Sequence, residues 1–309
     1  MEGIRKINNF ISNIRNFPYL FLVVYLLAIS WANFKYGVAL GLDTIFILLF
    51  FAAIIVGRLN TFLRDWIPFV LMFFGYEAMR GVADNLNQSV HVFEMIKADI
   101  FLFGQIPTIF LQKHLWNPDH LAWYDVFSFF FYLSHFWFIF LVGFIIWLKK
   151  REYFKFFSWG FIILCALGFI TYLLFPAMAP WDASKHGYIS GVDRLLIEIG
   201  KKLNLGGVIT VVYRWIGPNQ VAAVPSLHAA WAWFAVLSLV LFFGKKLAPF
   251  FIIPLGLDFS LVYFGEHYVI DILIGILYAS FVFWLSVKLF KINNTHQPQR
   301  KILLLNIKK

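Results

Sequence analysis

A single cysteine, Cys165, stands in this chain of 309 residues. An intrachain disulfide is therefore excluded, and so is a thiolate metal cluster; its place inside an apolar run marks it as a packing residue. Charge is scarce too. Asp, Glu, Lys and Arg make up 14% of the residues, well below the roughly one quarter usual in soluble domains. The acids are fewest, 16 against 26 Lys and Arg, and they form no cluster suited to a divalent ion. No internal repeat and no soluble domain is visible, and nothing in the sequence asks for a cofactor.

Apolar residues are what the chain has in excess. They reach 61%, with 39 Phe and 12 Trp, and this predicts an all-α polytopic membrane protein. A soluble all-α fold would need several buried helices of near-spanning length. The apolar runs predict a helical bundle of about eight spans, at 18–40, 43–57, 66–83, 124–148, 155–175, 226–243, 247–265 and 268–289. Segment 101–115 is apolar but broken by Gly104 and Pro107, which makes it interfacial or re-entrant. Near the start, Arg5, Lys6 and Arg15 precede an apolar stretch that lacks a small-residue cleavage site, so it reads as a first anchor.

A net charge of +10 would suit nucleic acid if the basic residues were clustered. They are dispersed between spans, so nucleic acid is excluded and basic cytoplasmic loops account for the charge. Lys149, Lys150, Arg151, Lys245 and Lys246 are the firmest markers, and they predict both termini in the cytoplasm. In that orientation Arg80, His228, His267 and Asp271 fall at the extracytoplasmic ends of their spans. Three regions follow: anchor spans over 1–66, a catalytic membrane domain over 67–290, and a basic cytoplasmic tail over 291–309. The outer loops 84–123 and 176–225 are expected to cover the site.

Two segments carry the chemistry. One is Pro225, Ser226, Leu227, His228, Ala229; the other is His267, Tyr268, then Asp271. A spacing of four puts His267 and Asp271 on one helix face, and an imidazole oriented by a carboxylate is a base or a nucleophile. Ser226 stands at a helix start, where free N–H groups attract anions. A lone membrane histidine is ordinarily a packing or surface residue, and His91, His114, His120, His135, His186 and His296 are read as structural or interfacial, with His135, mid-span after Ser134, the one that stands out. Asp258, inside the seventh expected span, is unexplained by this scheme unless it pairs with an arginine near the site.

These two segments resemble the second and third motifs of the type 2 phosphatidic acid phosphatase superfamily. The family's glycine in the second motif is Leu227 here. Its Ser-Arg pair before the third-motif histidine is Ser260 and Leu261, and its first motif is absent. Leu227, Tyr268 and the segment Phe175 to Trp181 are similar to the inositol phosphorylceramide synthase branch. Tyr76 to Gly81 is similar to an element of bacterial relatives. The resemblance covers about residues 70–285 and implies a six-helix phosphatase-like core within the bundle.

It also implies a phosphohistidine. His267 would attack phosphorus, Asp271 would orient it, and His228 would protonate the leaving oxygen and later deprotonate the acceptor. The missing third-motif arginine leaves phosphate to Ser226 and to other cations. Arg80 comes first among these, with Arg214, Lys185 and Arg194 behind it. Trp181, Tyr268, Tyr76 and Trp215 would line a substrate pocket. No metal is required, the partners are membrane lipids, and no protein partner is read from the sequence.

Two functions share the first half-reaction. One is a lipid head-group phosphotransferase, moving a group such as phosphoinositol from a phospholipid to a lipid hydroxyl. The other is a lipid phosphate phosphatase, with water as acceptor. A non-catalytic transporter would instead distribute polar groups along several spans. The enzyme readings predict that His228 and His267 face each other across a phosphate-sized gap, on the side opposite Lys149 to Arg151.

Overall fold

The computed structural model describes residues 42–86, 89–205 and 222–292. Eleven α-helices occupy them: α1 (Leu42–Ile55), α2 (Leu59–Leu86), α3 (Phe93–Phe103), α4 (Pro107–Leu115), α5 (Trp123–Lys149), α6 (Phe154–Leu174), α7 (Pro180–Lys185), α8 (Leu195–Lys202), α9 (Leu227–Phe243), α10 (Ile252–Tyr263) and α11 (Val269–Leu289). Short 3-10 turns precede α6 and α10. Among the described residues β-structure is confined to isolated bridges.

Among the described residues, three helical stretches are long and apolar enough to cross a membrane: Arg151–Leu174, Lys245–Tyr263 and Val269–Leu289. A fourth is formed if the two halves of α5, bent by 53° beyond His135, make one span. These account for four of the eight expected spans. Of the rest, 18–40 lies outside the described residues, 43–57 and 226–243 are shorter apolar helices, and 66–83 lies within α2. Segment 101–115 is a broken pair, α3 and α4, separated by Gly104 in the left-handed region and started again by Pro107.

α9 is the centre of the bundle, packing against α11, α5, α10 and α6. Its sequence is apolar on every side, as a helix enclosed by others requires. Ala229, Ala230, Ala232 and Ala235 are buried and let neighbouring backbones come close. The tightest approach is at the start of α9. A Cβ added to Gly275 of α11 would stand 2.4 Å from the Ser226 carbonyl oxygen, so only glycine fits there. In the second half of α6, the side chain of Leu227 fills the space over Gly168, where a Cβ would meet it at 2.7 Å.

The opposite end of the bundle is clasped by charge. Asp65 of α2 accepts Arg151 Nε at 2.6 Å, Arg151 Nη2 at 3.0 Å and Trp147 Nε1 at 3.0 Å. α6 runs from this clasp to the other end, where Tyr172 donates its hydroxyl to the Pro225 carbonyl at 2.9 Å. The two histidine motifs thus lie at the end of the bundle away from Lys149 to Arg151.

Candidate active site

Two helix starts meet at this end. Ser226 is the N-cap of α9, its hydroxyl accepting the Ala229 N–H, and its own N–H donates to the Asp271 carbonyl at 3.0 Å. α11 begins just after His267, and a helix start leaves N–H groups without intrahelical partners. Two carboxylates take them. Asp271 Oδ2 accepts Tyr268 N at 2.9 Å, while Asp99 Oδ2 and Oδ1 accept Val269 N and Ile270 N at 3.1 and 3.0 Å. Asp99 reaches across from α3 and is fully buried. Burial pushes its carboxyl above the usual range, against the pull of the Ile270 and Val269 bonds.

The histidines are fixed by this frame. His267 Nδ1 lies 3.4 Å from Asp271 Oδ2, and His267 Nε2 lies 3.0 Å from His228 Nδ1. With Asp271 holding the proton on His267 Nδ1, the Nε2 lone pair points at His228. The three groups form one line, carboxylate to imidazole to imidazole. His267 and Asp271 are buried, whereas His228 is partly exposed. The rings of the two histidines are in direct contact, with no gap between them. A phosphorus in line with Nε2 and a leaving oxygen on His228 need nitrogens more than about 6 Å apart. The expected phosphate-sized gap is therefore closed in this state.

His135, grouped from the sequence with the structural or interfacial histidines but set apart there by its mid-span position, belongs to the same cluster. Its ring stands edge-on to His228 with centroids 4.4 Å apart, and its Nδ1 meets the Tyr132 carbonyl. Asp99 was missed as well. Its signal was an acid inside an apolar helix, but its target lies 170 residues away in the chain.

The other expected site residues divide. Trp181 is at the edge of the cluster: its backbone N–H donates to the Gly265 carbonyl at 3.0 Å, docking the Pro-Trp segment on the turn before His267. Arg194 stacks over the Trp181 ring at 4.1 Å and holds Glu266 through two bonds, Nε–Oε1 at 2.7 Å and Nη2–Oε2 at 3.0 Å. Among the expected cations it is thus next to the residue preceding His267, whereas Lys185 is exposed at the end of α7. Arg80 lies in α2 with its side chain outside the described residues; Arg214 and Trp215 lie outside them altogether. Ser226 Oγ is buried and engaged in capping.

Tyr268 and Tyr76 are buried as core residues. Tyr268 packs with Met95, Ile96, Ala177 and Val224. Tyr76 packs on Phe73 and Trp231. Leu261, where the resembled motif has arginine, is fully buried in the main core, so no cation comes from that position.

Comparison with known proteins agrees with this frame. The chain is 29% identical over 243 residues to a phosphoinositol dihydroceramide synthase of Bacteroides thetaiotaomicron, covering 75% of this chain and 78% of that protein. No solved structure matches. Residues 95–285, from the α3 helix that caps α11 to nearly the end of α11 itself, match the model of the PAP2 superfamily. The family resemblance carried by the two histidine motifs is therefore borne out, and with it the reading of an integral-membrane phosphotransferase or phosphatase acting on lipids. On the match over most of its length, this chain is a member of the PAP2 superfamily.

Proposed function

We propose that the protein is a lipid head-group phosphotransferase that works through a phosphohistidine, moving phosphoinositol from a phospholipid to the hydroxyl of a second lipid. The observation that carries this is the line Asp271–His267–His228, with 3.4 and 3.0 Å between its members. The transfer chemistry is supported by the similarity to a phosphoinositol dihydroceramide synthase.

His267 Nε2 attacks phosphorus, and the P–O bond to the diacylglycerol breaks. His228 gives its proton to the departing oxygen. Asp271 stabilises the positive charge that develops on the His267 ring. The phosphoinositol now sits on His267. The acceptor hydroxyl then gives its proton to His228 and attacks phosphorus; the N–P bond breaks and His267 is released. Phosphoryl transfer needs mainly positioning and positive charge. Arg80, Arg214, Lys185 and Ser226 are assigned to phosphate, joined by Arg194 from the loop before α8. Trp181 borders the head group, with Tyr268 and Tyr76 supporting the pocket from the core.

The bundle is assigned eight spans around a six-helix core, with residues 67–290 as the catalytic unit. Both termini are assigned to the cytoplasm on the placement of Lys and Arg, which puts the histidines at the extracytoplasmic face.

The test is direct. Purified protein is given labelled phosphatidylinositol with and without ceramide or diacylglycerol. A labelled new lipid is expected, and head-group release and transfer are both expected to fall at least about a thousandfold in His267→Ala. Free inositol phosphate as the sole product points to water as acceptor. Undiminished activity in His267→Ala rules out the phosphohistidine.

A further inference from the structure

The clasp at the far end of the bundle borders a cleft that the histidine line does not use. It has a volume of about 720 Å³ and lies between α2 and the start of α6. Three cations, Arg64, Arg151 and Lys155, line it with two carboxylates, Asp65 and Glu152. Asp65 is committed to Arg151, and Arg64 Nε stands off from it at 3.6 Å. The Arg64 side chain is 74% exposed. Lys155 is exposed and makes no ion pair among the described residues. Glu152 is exposed as well, where water screens its charge. Lys149 and Lys150, directly before Arg151, add to the positive field at this corner.

The lining changes character along the helices. Arg64, Pro68 and Met72 are spaced by four and share one stripe of α2; Lys155 and Trp159 do the same on α6. Both helices leave the clasp in the same direction, so each stripe grades from cationic at the end of the bundle to apolar further in. Met72 lies about 12 Å along α2 from Arg64. Buried Phe69 and Phe154 form the floor, while Met72 and Trp159 are 37% and 48% exposed and leave the apolar end open to the bilayer.

We propose that this cleft binds an anionic phospholipid of the leaflet opposite the histidines. The head-group phosphate is held by Arg64 and Lys155, and an acyl chain lies over Phe69 between Met72 and Trp159. The gradient from cation to hydrocarbon is that of the lipid itself. A free anion would use only the charged end, and a zwitterionic lipid would bring its own cation to a basic corner. Basic pockets between membrane helices take anionic head groups in this way. The 21 residues of α6 put about 30 Å between its two ends, so the lipid held here is distinct from any handled by the histidines. The site therefore stands whatever the reaction at His267 is.

The experiment titrates the full chain in neutral detergent with dioleoylphosphatidylglycerol, dioleoylphosphatidylcholine and inorganic phosphate, reading dissociation constants by native mass spectrometry. Phosphatidylglycerol is expected to bind at least about tenfold tighter than phosphatidylcholine. The double change Arg64→Gln with Lys155→Gln is expected to weaken phosphatidylglycerol at least about tenfold and to leave phosphatidylcholine unmoved. Lys245→Gln with Lys246→Gln removes the same charge just after α9, at the same end of the bundle but outside the cleft. That control is expected to shift the constant less than about threefold. Equal affinity for the two lipids in wild type, or an unmoved constant in the Arg64 and Lys155 variant, overturns the proposal. Equal weakening by both double changes overturns it too, because a general surface field then accounts for the binding. Inorganic phosphate bound as tightly as phosphatidylglycerol, and lost with Arg64 and Lys155, rejects the lipid as occupant. Should the Arg64 and Lys155 variant not fold, Met72→Trp narrows the apolar end; weaker phosphatidylglycerol binding supports the site and an unchanged constant refutes it.

Discussion

His228 Nδ1 and His267 Nε2, 39 residues apart in the chain, are in direct contact at 3.0 Å. The nucleophile is thereby covered by its own acid–base partner. In-line attack needs phosphorus and its leaving oxygen between the two rings, so the contact must open by roughly 3 Å or more. His228 is the ring with room to move, being partly exposed while His267 is buried. A structure with vanadate bound is expected to show the nitrogens more than about 6 Å apart, with His267 unmoved against Asp271. A vanadate complex in which the histidines stay in contact would contradict this.

Asp99 sets the start of the helix that follows the nucleophile. Asp99→Ala leaves two N–H groups of α11 unpaired and is expected to cost about 1–2 kcal/mol, with turnover falling at least about tenfold through misplacement of His267. Asp99→Asn keeps one acceptor oxygen and should fall between. Because burial raises the Asp99 carboxyl in the fold, its contribution is fully present below the unfolded value and is lost as pH rises through the folded one. Thermal melting of wild type relative to Asp99→Asn, followed from pH 4 upward, should therefore move in favour of asparagine and then level off.

Leu227 stands where the resembled motif has glycine, and Gly168 faces it from α6. Leu227→Gly is expected to leave a cavity costing roughly 2–5 kcal/mol. Gly168→Leu alone overpacks the same space at about 1–3 kcal/mol. Combined, the two changes exchange the side chain between helices, and a coupling of about 1 kcal/mol or more is expected in a double-mutant cycle on detergent-solubilised protein. Strict additivity would show that the two positions do not share this space.

The Arg194–Glu266 pair is nearly buried, with side chains 14% and 9% exposed. Removing one member strands a charge beside the nucleophile. Arg194→Met is expected to lose about 3–5 kcal/mol, and the double change Arg194→Met with Glu266→Leu distinctly less. Melting temperatures of the three proteins decide it; a double variant no more stable than Arg194→Met would show that the ion pair is not what the arginine contributes.

Much of this protein is written in local sequence. Apolar run lengths, with Gly104 and Pro107 as a break, are properties of neighbouring residues, and they placed α5, α6, α9 and α11 to within a few positions, while α2 starts seven residues before its expected span and the short α7 and α8 were not expected. The four-residue spacing of His267 and Asp271 fixes their shared face, because a helix turn is a local object. The family resemblance was equally legible, carried by two short motifs.

Tertiary structure decided what depends on residues far apart. His135 joins His228 through the packing of α5 on α9, which no spacing encodes. Asp99 finds its N–H partners 170 residues on. Arg194 is set beside Glu266 by the docking of the Pro-Trp loop on the turn before α11. The sequence determined that an oriented histidine and a second histidine would stand at helix starts in an apolar bundle. Only the fold decided that the two rings touch, because the distance between separate helices is fixed by how closely their backbones pack, here by Gly275 against Ser226 and Leu227 over Gly168.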